Sequence, residues 1–186
     1  IYVAQEGEYA TAGYGAASRF EQILFLPVLG INTAIISIIA QNYGAMNYDR
    51  IRETFYTAIR YALFIMFFAA ILVFLLADVV TGLFSNNPDV VDYGKRYLRI
   101  SAIVLPAYPL FFISNGFFMS LKKSENAMIS NVFRNLLIPI SVFYLAKYYS
   151  ADFNAFFWMW VIFNWIYSLI YLSIVLYYLK NRLEIT

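Results

Sequence analysis

Glu21 is the residue in this sequence with the most chemistry open to it. It stands beside Arg19 and Gln22 in a long run of apolar and small residues. A carboxylate in such a run can hold an organic cation or exchange a proton. Depth weighs against that reading. At about 1.5 Å of rise per residue, Glu21 lies roughly 30 Å from Gln41 along a helix. That depth predicts a solvated carboxylate near a helix end, at the outer interface. In the functional alternative, Arg19, Glu21 and Gln22 line the outer mouth of a cleft. Arg134 comes next, about 13 Å beyond Glu125 and so near the middle of a membrane span, with Asn131 and Asn135 beside it. An unpaired arginine at that depth is costly. A structural role is expected, with the guanidinium bonded to helix-end carbonyls or a neighbouring carboxylate. The alternatives are contact with an anionic part of a substrate and tuning of a proton site.

Asn32, Thr33 and Ser37 give the same run a polar stripe, and Asn115 and Asn164 do so farther along. Interhelical hydrogen bonds worth about 0.6 to 2 kcal/mol each account for residues of this kind, and substrate contact is the second reading. Pro27 with Gly30, and Pro106 with Pro109, interrupt the helical hydrogen-bond ladder in two places. Such positions serve as hinges or as fixed kinks. The chain has 18 Phe, 17 Tyr and 3 Trp. These rings can face flat organic cations. Tyr148 with Tyr149 and Tyr177 with Tyr178 suit interfacial belts instead, and Trp158, Trp160 and Trp165 suit lipid-facing or core positions.

Other chemistries are excluded by residue type. With no His and no Cys, the chain lacks the commonest general base, any thiol nucleophile and the usual metal ligands. No pair of acidic residues falls at mid-membrane depth, so neither a catalytic dyad nor a metal site is expected. No catalytic residue is assigned, no cofactor is expected, and the chain does not read as an enzyme. A formal net charge of +2, spread over scattered basic residues, gives no nucleic-acid footprint.

The elements that carry these residues are helices. The sequence is 62% hydrophobic and 13% charged, far below the roughly 25% charge of a soluble domain. Its apolar runs do not alternate as barrel strands would. About 20 apolar residues are needed to cross a bilayer core, which places five spans at about 10–40, 54–84, 89–121, 125–148 and 153–179 in an all-α transmembrane bundle. Gly44 is expected to close the first span in a left-handed C-cap, and Asn47 or Asp49 to cap the second. Pro88 suits the first position of the third, and Ser124 and Asp152 suit the caps of the last two. Alternating spans put Arg50, Arg52, Lys122, Lys123, Lys180 and Arg182 on one side, which the positive-inside rule makes cytoplasmic together with the C-terminus. Lys147, Lys95, Arg96 and Arg99 fall on the other. The acidic first fifteen residues and the absence of a starting Met read as a chain cut from a longer protein.

Two stretches carry a family resemblance. The first runs from Tyr9-Ala10-Thr11-Ala12-Gly13-Tyr14-Gly15 through Arg19-Phe20-Glu21-Gln22, Pro27 and Gly30 to Gln41-Asn42-Tyr43-Gly44-Ala45, Asn47 and Asp49-Arg50. It resembles the second helix and following loop of the C-terminal bundle in multidrug and toxic compound extrusion (MATE) transporters. Pro106, Asn115, Lys122-Lys123, Arg134 and Pro139 resemble the fourth and fifth helices of that bundle. The resemblance implies a twelve-helix protein of two six-helix bundles around a cleft. Residues 1–186 would then be most of the C-terminal bundle, and its partners the N-terminal bundle and the first helix of the C-terminal one. It implies a multi-pass protein of the cell membrane that exports small organic cations by antiport against H⁺ or Na⁺. The NorM-type branch has an acidic residue on the fourth helix of the bundle, but Leu105 to Asn115 contains none here. The coupling ion is therefore expected to bind mainly outside these residues. A lipid-linked saccharide flippase of the same superfamily, and a non-transporting membrane scaffold, are the alternatives.

Overall fold

The computed structural model describes residues 2–181 and Leu183, Tyr2 and Gln5 by backbone alone. Ile1, and Arg182 from the basic group above, lie outside the described residues. Among the described residues eight α-helices follow in order: α1 Tyr2–Gln5, α2 Glu8–Gly44, α3 Tyr48–Gly82, α4 Pro88–Val104, α5 Ala107–Ser120, α6 Ser124–Val132, α7 Ile138–Tyr148 and α8 Phe153–Asn181. A π-helical turn, Phe133–Leu137, joins α6 to α7. No strand occurs among the described residues.

Helices α2, α3 and α8 are each long and apolar enough to cross a membrane, as is the run Ser124–Tyr148. Helices α4 and α5 meet the same test only as a pair, bent by 51°. The expected third span is thus a broken one. Leu105 and Pro106 form the break, where the missing N–H of proline ends the ladder. Trp165 of α8 donates its indole N–H to the carbonyl of Ile103 at 2.9 Å, covering a backbone oxygen beside the break. Pro27, by contrast, sits within the uninterrupted helix α2.

The π-turn has a local cause. Pro139 cannot donate to the carbonyl four residues earlier, and a ring opened by one residue accommodates that loss. The caps depart from expectation in two places. Gly44 lies within α2, and Met46 takes the positive φ of 55° that reverses the chain. Ser124 is the first helical residue of α6 and makes no side-chain cap. Asn47 does accept from the Arg50 N–H, Pro88 opens α4, and Asp152 accepts from Ala155 N–H at 2.9 Å.

Because lipid is as apolar as a leucine side chain, these helices associate by close packing rather than by the hydrophobic effect. Small residues permit the closest approach. A Cβ on Gly13 of α2 would lie 2.5 Å from the Val90 carbonyl of α4, and one on Gly94 would lie 3.2 Å from the Gly13 carbonyl. Helix α2 is central, packed on α3, α4 and α5. Phe55, Phe111, Phe117 and Phe118 fill one end of the interior, and Met66, Leu98, Leu105 and Phe157 the other. Phe64, Phe67 and Leu75 face outward from α3, as lipid-facing side chains do.

The ends of the helices group the charges. Arg52 reaches across to the carbonyl of Leu179 at 3.4 Å, and the Lys123 ammonium stands 4.6 Å from the Tyr178 ring. The α2–α3 and α5–α6 connections therefore share an end of the bundle with the C-terminus of α8. At the opposite end Asp78 pairs with Lys95 and Arg99, each at 2.8 Å.

Candidate functional site

The site is assembled where α2, the broken pair α4 and α5, and α8 meet. Glu21 is 7% exposed. Tyr97 of α4 donates its hydroxyl to Glu21 Oε2, and Tyr108 of α5 donates to Oε1 at 2.6 Å. Those two tyrosines stand about 16 Å apart in rise on a straight helix. The 51° bend between them is what lets both phenols reach one carboxylate. A cavity of about 10 Å³ adjoins Glu21, Tyr97, Ser101, Tyr108 and Trp160, room for no more than about one water.

An aromatic wall surrounds the carboxylate. Tyr14 meets Tyr97 edge-on at 4.9 Å between centroids, Phe157 packs on both, and Phe25 packs on Tyr108 at 5.5 Å. Among the described residues no Lys or Arg pairs with Glu21. Depth along the helix thus misjudged this residue. The helix runs on to Glu8, thirteen residues beyond Glu21, so the carboxylate is enclosed by neighbouring helices rather than solvated at an end. Arg19 and Gln22 are exposed and point away from it, because positions two and one residue removed face about 200° and 100° around the helix.

Arg134 sits in the π-turn, and among the described residues neither a carbonyl nor a carboxylate bonds it as expected. Its guanidinium carbon stands 4.5 Å from the Phe111 ring centroid, 4.7 Å from Phe112 and 5.1 Å from Tyr108. Nε is buried without a hydrogen-bond partner among the described residues. Asn131 and Asn135 adjoin it along the chain, but Asn131 donates to Ala127 O and Asn115 Oδ1, and Asn135 is exposed.

The remaining polar residues divide by partner. Asn115 is buried and interhelical, accepting from Asn131 and Tyr171, each at 3.5 Å. Thr33 and Asn164 do not bridge helices as expected but bond their own helix, to Leu29 O and Trp160 O. Ser37 accepts from Gln41 on the same helix. Asn32 leaves Oδ1 buried and unpartnered against Gly116, where an added Cβ would come within 2.1 Å. Pro109 is buried in the first turn of α5, and Gly30 is exposed with open space around it. Among the described residues no cluster of acidic side chains suits a metal ion.

Sequence reasoning missed Tyr97 and Tyr108. Pro106 marks a break just before Tyr108, and Gly94, Leu98 and Ser101 mark the buried face of α4 that Tyr97 shares, but nothing local pairs either with Glu21.

The MatE family profile matches residues 1–145. The chain belongs to the MATE family. It is 26% identical over 149 residues to the probable multidrug resistance protein YpnP of Bacillus subtilis (strain 168), covering 80% of this chain and 32% of that protein. It is 24% identical over 141 residues to the multidrug export protein MepA of Staphylococcus aureus (strain MSSA476), covering 75% of this chain and 31% of the other. A crystal structure of a MATE protein in complex with MaL6 superposes with a TM-score of 0.89 at 21% identity, over 97% of this chain and 41% of that one. The chain thus spans about a third of the length of the curated relatives it matches. The superposition establishes that these helices adopt a MATE fold. Within it, Tyr97 and Tyr108 bond the buried Glu21, and Arg134 stands over the Tyr108 ring.

Proposed function

We propose that the complete protein is a secondary antiporter that exports amphiphilic organic cations against an inward H⁺ or Na⁺ gradient. This chain supplies five membrane spans of its C-terminal bundle, and the N-terminal bundle with one further helix completes it. The observation that carries the reading is Glu21: a buried carboxylate held by two phenols, walled by aromatic rings, with no cation paired to it among the described residues. A carboxylate so enclosed, with space beside it for about one water, suits a proton or a small ion, and aromatic faces elsewhere in the cleft suit a flat organic cation. Ion and drug then make alternating claims on the carboxylates of the cleft, so binding one favours release of the other. The basic end of the bundle, with Arg50, Arg52, Lys122, Lys123 and Lys180, lies in the cytoplasm, and the C-terminus with it. The alternative is a lipid-linked saccharide flippase, to whose cationic cleft Arg134 could contribute, and several unpaired Arg or Lys residues at mid-membrane depth in the rest of the protein would favour it.

The test is efflux of a fluorescent organic cation by the full-length parent protein in proteoliposomes, with pH and Na⁺ gradients imposed separately. Efflux under one gradient identifies the antiporter and its ion. Absence of efflux under both, with folded protein, overturns the reading.

A further inference from the structure

We infer that an anionic phospholipid docks on the outer surface of the bundle, its phosphate at Lys95 and Arg99 and one acyl chain in the groove between α3, the α4–α5 break and α8. The inference goes beyond the export reading and does not depend on it.

The groove has a volume of about 420 Å³. Phe67, Ile71, Phe74 and Leu75 of α3 form one wall, and Pro106 at the break and Trp165 of α8 face them. The lining is apolar, since the indole N–H of Trp165 is already spent on the Ile103 carbonyl at 2.9 Å. Phe67, Phe74 and Leu75 are each at least half exposed, and in a bilayer the medium that meets such side chains is acyl chain.

Charge lies at one end of this groove and on the same stripes. On α3, Asp78 continues the face of Phe67, Ile71, Phe74 and Leu75, and on α4, Lys95 and Arg99 lie at one-turn steps from Ile103. The Arg99 guanidinium stands 5.9 Å from the Phe74 ring, which joins the cluster to the groove. Two cations share one carboxylate there, Lys95 and Arg99 each 2.8 Å from Asp78, and all three side chains are partly exposed. Arg96 is balanced by Asp92. A unit of positive charge is left over at the mouth of the groove. An ammonium and a guanidinium also carry more N–H donors than one carboxylate engages, so donors remain for a phosphate.

Depth fits a lipid. No charged residue lies between Arg60 and Asp78 on α3. That run rises about 27 Å, against a hydrocarbon core of about 30 Å, so Asp78 marks the edge of the core. From Asp78 to Phe67 the rise is about 16 Å, the depth of one leaflet. A chain whose phosphate sits among these charges therefore ends where the groove ends, at the helix break.

The test reads Trp165 by fluorescence in the full-length parent protein. Vesicles hold equal parts phosphatidylglycerol and phosphatidylethanolamine, with bromines on the acyl chains of one lipid at a time to quench any indole they touch. The Trp165 signal is the part of the emission lost in Trp165→Phe. Phosphatidylglycerol is expected to be preferred there by about fivefold, the scale of one cation beside an anionic headgroup. Lys95→Gln combined with Arg99→Gln should abolish the preference. Asp78→Asn leaves both cations unneutralised and should raise it, by about a further fivefold. Ala70→Leu fills the lining of the groove and should reduce quenching by both lipids. Equal quenching by the two lipids in the unaltered protein, or a preference that survives loss of both cations, overturns the inference. So does quenching by neither lipid, which identifies protein, from the rest of the parent or from a second copy, as what covers the groove. If the double variant does not fold, Asp78→Asn decides alone: a raised preference supports the site, and an unchanged or lowered one overturns it.

Discussion

The phenol of Tyr108 donates to the carboxylate of Glu21 at 2.6 Å across 87 residues of sequence. Because Tyr97 donates to the other oxygen, the carboxylate is held from both halves of a broken helix.

Glu21→Gln keeps the shape of the side chain and removes its charge. In the full-length parent protein we expect efflux of a fluorescent organic cation to fall about tenfold or more, the scale of one charge-assisted contact, with abundance in the membrane unchanged. Unaltered efflux at matched expression would show that the carboxylate serves packing alone.

The two phenols are best tested as a cycle. Tyr108→Phe and Tyr97→Phe each remove one donor from Glu21, and each is expected to destabilise the parent protein by about 1.5 to 3 kcal/mol. In a Glu21→Gln background the same changes should cost markedly less, since the charge they serve is gone. Additive losses in thermal or denaturant unfolding would mean that the hydroxyls act independently of the Glu21 charge, and no loss in either background would mean that the rings alone matter.

How much of this was legible beforehand depends on whether a residue's partner is local. The helices and the break at Pro106 follow from apolar run length and from proline chemistry, both carried within a few residues. Glu21 and Arg134 were found by type, as charges within apolar runs. Their environments were not, because Tyr97, Tyr108, Phe111 and Phe112 approach from other helices through packing that no local pattern encodes. Reckoning depth from Gln41 failed at Glu21 because α2 extends 37 residues, longer than one crossing needs. Burial there is set by neighbouring helices rather than by distance from an end.

Gly13 and Gly30 lie on the same helix and should respond oppositely. Gly13→Val drives a side chain into the α4 backbone and should abolish folded protein in size-exclusion chromatography. Gly30→Ala enters open space and should fold normally. A transport defect confined to Gly30→Ala would mark that position as a hinge.

Trp165→Phe removes the donor to Ile103 O while retaining most of the ring. A melting temperature lowered by the equivalent of about 0.5 to 1.5 kcal/mol is expected, the net worth of one hydrogen bond. An unchanged melting temperature would show that the break between α4 and α5 is held by Pro106 alone.

The π-turn at Phe133–Leu137 makes the span around it a helix with one residue to spare. Ser130, Ile138, Val142 and Ala146 are all buried. From Ser130 to Ala146 a regular helix would overshoot whole turns by about 160°, and absorbing one residue in the wider ring cuts that to about 60°. The extra residue therefore keeps both halves of the span turned toward the same neighbours. This span should tolerate a change of length that α2 does not: deleting the exposed Asn135 would leave both faces in place, at the cost of setting Pro139 against the Arg134 carbonyl, whereas a deletion in the middle of α2 would swing Glu21 about 100° out of register with the face that carries Val28, Ile35 and Ile39.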